Sequence, residues 1–307
     1  MSLRLPLLFA SCFAFTAVAQ SAMDAGAPAE PQKPTAALTV SEGLSTPESV
    51  LYDADTDTYL VGNINGSPLA KDGNGFVSEF AADGKLVARL IESGKNGVTL
   101  NAPKGLALSK GVLYVADIDT VRLFDRKSGA PAGEVKVPGA TFLNDVFAAA
   151  TGLVYVTDSG LKAGKDGLEP TGTDGIYVIE PGKKPKLKTL VKSKGLSRPN
   201  GIVVTADTIY VAPFGASTVF VLDLAGKKKG EPLEVSKGSL DGLVLVGDRL
   251  IVSSWESKSV WAATLGKPFT ELFTGLTAPA DIGFDSKRSR VLVPHFMDNV
   301  FTAWDLK

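Results

Sequence analysis

Four oxygen-bearing side chains recur at one equivalent place in this sequence. They are Glu48 in Pro47-Glu48-Ser49-Val50, Asn144 in Leu143-Asn144-Asp145-Val146, Asn200 in Pro199-Asn200-Gly201-Ile202 and Asp241 in Leu240-Asp241-Gly242-Leu243. Two carboxylates and two amide oxygens form a hard donor set of summed charge −2. Such a set suits calcium, with water or a ligand completing the shell. Magnesium tolerates the same donors but keeps more of its own water. Zinc prefers nitrogen and sulfur, and the chain holds one histidine and one cysteine. Taken singly, Asn-Gly and Asp-Gly also read as turns. The shared register weighs against turns alone, because Pro103-Lys104-Gly105-Leu106 and Pro279-Ala280-Asp281-Ile282 complete a set of six.

Successive copies lie 56, 40, 56, 41 and 39 residues apart. A period of that size with several short strands per unit is the signature of propeller blades. Each copy heads a strand, and β-branched or aromatic runs follow, such as Leu113-Tyr114-Val115 and then Val121 to Phe124. The fold expected is all-β: a six-bladed β-propeller with four antiparallel strands per blade. The last blade has only three strands before Lys307, so the N-terminal strand Ala37-Leu38-Thr39-Val40 is expected to complete it. That closure removes an exposed sheet edge. Strand direction puts the loops between second and third strands on the same face as the polar heads. Phe214, Trp255 and Phe296 in those loops are expected to contact a small-molecule ligand, and the long Ser159 to Asp174 loop to act as a lid. His295, the single histidine, ends the second strand of the last blade. It reads either as a satisfied structural residue or as a proton acceptor in the pocket.

The remaining composition narrows the classes. Net charge is −1 over 307 residues, so no bulk field favours nucleic acid or an anionic membrane. The runs Lys183-Lys184-Pro185-Lys186 and Lys227-Lys228-Lys229 lack interleaved aromatics and read as solvated loops. Residues 1–19 have the pattern of a cleaved signal peptide: Arg4, an apolar stretch from Leu5 to Val18, and the small-x-small site Ala17-Val18-Ala19. The expected location is periplasmic or secreted. Lipidation at Cys12 is the minor alternative. Without residues 1–19 the chain has no cysteine and no transmembrane segment. Residues 20–35 read as a disordered leader and 36–307 as the propeller. There is no Gly-x-Ser-x-Gly elbow, P-loop or dinucleotide fingerprint.

The ordered set of heads resembles the senescence marker protein (regucalcin)/gluconolactonase family of six-bladed propellers, and more distantly diisopropyl fluorophosphatase and paraoxonase. The resemblance implies a divalent cation, most simply Ca2+, at the tunnel mouth, held by Glu48, Asn144, Asn200 and Asp241. It implies hydrolysis of lactones or related esters, with Asp241 as general base or nucleophile and Asn144 touching both cation and substrate. Two positions depart from the pattern. Phe142 stands where sugar-lactone hydrolases of this kind often carry an arginine. Lys104 occupies the ring position of blade two, where it would grip an anionic substrate, repel the metal, or pair with Asp145 or Asp281. The alternatives are a non-catalytic propeller that binds a ligand or protein, and a structural ring in which Lys104 neutralises the carboxylates. Expression in an exporting host should yield a chain starting near Gln20 by intact mass; retention of Met1, or an acyl mass on Cys12, would contradict the signal-peptide reading.

Overall fold

The computed structural model describes residues 34–165 and 167–306. The expected signal peptide, Cys12 and residues 20–33 of the leader lie outside the described residues. The described chain folds as six four-stranded antiparallel sheets plus one small hairpin. Blade 1 runs Pro47–Asp53, Thr58–Asn63, Phe76–Ala81 and Leu86–Glu92. Blade 2 runs Pro103–Ser109, Val112–Asp117, Thr120–Asp125 and Pro131–Lys136. Blade 3 runs Leu143–Ala148, Val154–Asp158, Gly175–Glu180 and Lys186–Lys192. Blade 4 runs Pro199–Val204, Ile209–Pro213, Thr218–Leu222 and the short Leu233–Glu234. Blade 5 runs Arg249–Ser254, Ser259–Thr264 and Thr270–Thr274 outward from Leu240–Val246. Blade 6 runs Gly283–Asp285, Arg290–His295 and Val300–Asp305, and Leu38–Val40 is its outer strand.

The closure follows the sequence expectation. Leu38, Thr39 and Val40 pair with Ala303, Thr302 and Phe301. Side chains add to it across the seam between blades 6 and 1. The Tyr59 hydroxyl donates to Asp285 at 2.7 Å, and Arg288 donates to both oxygens of Asp57 at 2.7 and 2.9 Å. The next seam is tied by Arg126 of blade 2, which donates to Asp53 at 2.6 Å and Glu79 at 2.7 Å on blade 1. Arg126 and Asp53 are both buried. Removing one partner of such a pair strands a charge in low dielectric, a cost of about 3–5 kcal/mol.

The core is divided rather than central. Among the described residues six of seven apolar clusters lie one at each contact between neighbouring blades, and the small seventh joins Ile64, Ala102 and Ile118. Each sheet therefore buries both faces. That explains why inner strands such as Val154–Asp158 and Ile209–Pro213 are buried at every residue and show no polar alternation.

The first strands begin with a shared irregularity. In blades 1 to 5 one extra residue is inserted opposite the second strand, between Pro47 and Ser49, Pro103 and Leu106, Leu143 and Val146, Pro199 and Ile202, and Leu240 and Leu243. A bulge re-aims a side chain at the end of a ladder. The polar head of each strand sits inside it. Asn200-Gly201 and Asp241-Gly242 thus lie within strands, and the turn reading of those pairs does not hold. Their glycines serve a different need, which is close approach of adjacent first strands. A Cβ on Gly242 would lie 2.7 Å from the Asp281 Cα, and one on Gly201 2.8 Å from the Leu243 nitrogen. Gly242→Ala should lower stability by about 1–3 kcal/mol. Gly182→Ala, with open space around it, should stay within about 0.5 kcal/mol of wild type. Urea midpoints of the two variants check this; equal midpoints would contradict the crowding argument.

Candidate functional site at the tunnel mouth

The bulged heads converge on one cavity of about 270 Å3. Its lining includes Glu48, Asn144, Asn200, Asp241 and Lys104, one from each of blades 1 to 5. All five are at most 5% exposed. Each of the four oxygen-bearing heads leaves one oxygen buried with no hydrogen-bond partner: Glu48 Oε2, Asn144 Oδ1, Asn200 Oδ1 and Asp241 Oδ1. Buried polar atoms are nearly always satisfied, and stranding one costs about 1–3 kcal/mol. Four at one place, on the set that sequence register singled out, is a strong departure from that rule.

Neighbouring bonds fix how these groups point. The Ser159 hydroxyl donates to the Pro199 carbonyl at 2.7 Å. Its lone pair is then left to accept from Asn144 Nδ2 at 3.0 Å. That chain sets the amide orientation and turns Asn144 Oδ1 into the cavity. Burial pushes the Asp241 carboxyl well above its usual range and Asp281 adds to the shift, while the Trp255 and Asn200 side chains pull it back. Burial also raises Glu48 well above its usual range, reinforced by Asp241 and Asp281 and opposed by Lys104. The donor set is hard, oxygen-only and short of positive charge, which is the chemistry a divalent cation such as calcium requires. No group of three or more His, Cys, Asp or Glu side chains suited to a metal occurs among the described residues; half of this donor set is amide oxygen.

Lys104 does not pair with Asp145 or Asp281. Its ammonium donates to the Ala102 carbonyl at 3.1 Å and sits 4.5 Å from the centre of the Phe142 ring. No carboxylate oxygen lies within 4 Å of it among the described residues, so it does not neutralise the ring by direct contact. Burial lowers its pKa to about 8, against the pull of Glu48 and Asp117. The upper walls are apolar. Phe214, Trp255 and Phe296 form a continuous arc, with ring centres 5.6 and 5.2 Å apart. Phe142, Leu161 and Leu168 face the same cavity. The expected lid is an ordered hairpin, Leu161–Gly164 paired with Gly167–Pro170, with Leu161 buried.

His295 does not line the cavity. Its Nδ1 accepts from the Thr277 amide at 3.3 Å, and its Nε2 pairs with the Thr302 hydroxyl at 2.9 Å. Equivalent second-strand ends do the same work in other blades: Asp158 accepts from the Phe142 amide at 2.9 Å, and Asp117 from the Ala102 amide at 2.9 Å. The placement fits the structural reading of this histidine and takes it away from a proton-acceptor role.

A second layer lies one residue further along the same strands. Asp145 accepts from the Val146 and Ile202 amides, and Asp281 accepts from the Ser49 hydroxyl at 2.6 Å. Burial raises both carboxyls, Asp281 to about 7. They line a cavity of about 390 Å3 further along the axis. Sequence reading missed this layer, although each acid directly follows a head position.

No family model matches the chain, and no curated protein matches it. Among solved structures the chain is similar to the β-propeller domain of Cps50 (Swd1) from Myceliophteria thermophila, with TM-score 0.58, 12% identity, 89% of this chain and 100% of that chain covered. At that identity the likeness concerns the fold alone.

The raised carboxyls have a consequence for stability. A folded-state value above the unfolded one gives stability at low pH that is lost as pH rises through the folded value. In chelator, Glu48→Gln should therefore melt a few degrees above wild type at about pH 8, with the gap closing toward about pH 4. A lower melting temperature for the variant throughout that range would contradict the electrostatic account.

Proposed function

We propose that this chain is an exported metal-dependent hydrolase of lactones or related esters, with calcium as its cation. The observation that carries the reading is the set of four unpartnered buried oxygens on Glu48, Asn144, Asn200 and Asp241 around one cavity. When bound there, the cation would polarise a carbonyl and stabilise the developing oxyanion. Glu48 and Asp241 supply the charge that holds it; Asn144 and Asn200 supply neutral oxygens. The Ser159 bond keeps Asn144 Oδ1 directed inward without cost at the moment of reaction. Asp241 takes the proton of an attacking water, or attacks the carbonyl itself. The aromatic arc excludes water above the floor and strengthens every charge interaction below it. Phe142 gives sugar hydroxyls no hydrogen-bond partner, so the reading favours substrates other than sugar-acid lactones.

A second reading is a non-catalytic propeller that binds a ligand or protein on the same face. Lys104 favours it, since a buried ammonium beside the heads lowers the affinity for a cation. The fold likeness is equally compatible with it, because a propeller scaffold does not dictate chemistry.

Melting curves with chelator and with millimolar calcium separate these readings. Calcium at a hundredfold excess over its dissociation constant should raise stability by about 2.7 kcal/mol, and Asp241→Ala should lose that rise. Against a panel of lactones, aryl esters and phosphotriesters, Asp241→Asn should lose at least about a hundredfold in turnover while keeping the fold. Full activity in that variant would remove the proposed mechanism; a calcium shift with no hydrolysis by wild type would favour the binding propeller.

A further inference from the structure

The floor and walls of the mouth cavity differ sharply in chemistry, and Lys104 is at their boundary. Its side chain is 1% exposed, yet it lines the cavity. An ammonium has three donors; the Ala102 carbonyl takes one, and the Phe142 ring covers another side. Among the described residues no carboxylate lies within 4 Å of the ammonium, and Glu48 and Asp117 attract it only from further away. A buried cation without an anion is costly, and the aromatic face offsets only part of that cost.

The charge balance of the site identifies what would complete it. Among the groups that line this cavity, Glu48 and Asp241 contribute −2, a divalent cation +2 and Lys104 +1, which leaves a net +1 before the deeper Asp145 and Asp281 are counted. A single negative charge balances that lining. Above it the walls are almost wholly apolar, with the Phe214, Trp255 and Phe296 arc on one side and Leu161 on the other. They offer a ligand's body contact area but no hydrogen-bonding partners apart from the buried Trp255 indole. Two of the five exposed large apolar residues of the described chain, Leu168 and Met297, also sit on this cavity. They extend the apolar surface to the entrance.

We propose that Lys104 is the anion anchor of this cavity and that its ligand is an amphiphilic monocarboxylate: a carboxylate at the floor against Lys104, and an alkyl or aryl body along the aromatic arc. This rests on the cation reading above and deepens it, because ester or lactone hydrolysis releases such a carboxylate. A cavity of about 270 Å3 that opens to solvent past Leu168 and Met297 suits a body the size of a medium chain or a single ring system.

The test uses the mature chain and binding, not turnover. Trp255 lies on the wall, so its fluorescence reports occupancy. Octanoate and octanamide share a body and differ in charge. With calcium present, wild type should bind octanoate at least about tenfold tighter than octanamide. Lys104→Met should lose that preference while still binding octanamide, which shows that the walls are intact. Lys104→Arg should keep it. Equal binding of acid and amide by wild type would overturn the proposal. So would an undiminished preference in Lys104→Met, since the cation alone would then hold the anion. The calcium melting shift, measured without ligand, tests the cation reading separately. An octanoate preference that depends on Lys104 but not on calcium would uphold the anchor and remove the cation.

Discussion

Six strands must begin beside one another around a narrow axis, and the space available there governs the rest of the molecule. Adjacent first strands come so close that Gly201 and Gly242 have no room for a side chain. Hydrogen bonds cross the last seam directly, from the Asp281 amide to the Glu48 carbonyl at 2.8 Å. Where strands crowd in this way, side chains can escape only toward the ends of the axis. The inserted residue in the first strands of blades 1 to 5 uses that freedom and turns the head toward one mouth.

Placing polar heads at a crowded axis removes them from water. Glu48 and Asp241 are then carboxylates in low dielectric; burial raises the proton affinity of both, with Asp241 and Asp281 adding to the rise at Glu48 and Asp281 at Asp241. Nothing in the described scaffold relieves them by direct pairing. Lys104 lies at the same level but is spent on the Ala102 carbonyl and the Phe142 ring. The scaffold holds the charges apart and leaves their neutralisation to whatever enters the mouth. On the proposed reading the aromatic arc above would make that entry selective, because a ligand must leave water to reach the floor.

The blades solve one recurring problem with different residues. The loop entering each first strand carries amides that need acceptors. Asp117 and Asp158 supply them in blades 2 and 3, Asn63 accepts from the Ser45 amide in blade 1, and His295 accepts from the Thr277 amide in blade 6. Elsewhere the turn itself is forced: Thr46, Arg198, Ser239 and Ala278, each just before a head segment, have left-handed φ between 43 and 59°. Such strain just below the site is maintained by packing of the blades against one another.

The sequence by itself determined the repeat, the six-bladed ring, the strand that closes it and the four oxygen donors. These were legible because each repeat carries its own short-range signal: a head segment of the same pattern, polar at its second residue in five of the six, followed by apolar runs. The closure was legible because one blade lacked a strand and one strand lacked a blade. What depended on contacts between blades was not legible. The surroundings of Lys104 come from Phe142 of the next blade, so the lysine's partner lay 38 residues away. The structural role of His295 rests on a loop amide and a third-strand hydroxyl. The Asn-Gly and Asp-Gly pairs, taken singly, also read as turns, and only the approach of the next blade shows why glycine is there. Burial decided the chemistry of the heads. A carboxylate written in a sequence has its ordinary proton affinity, and only the closed ring removes the water that keeps it so.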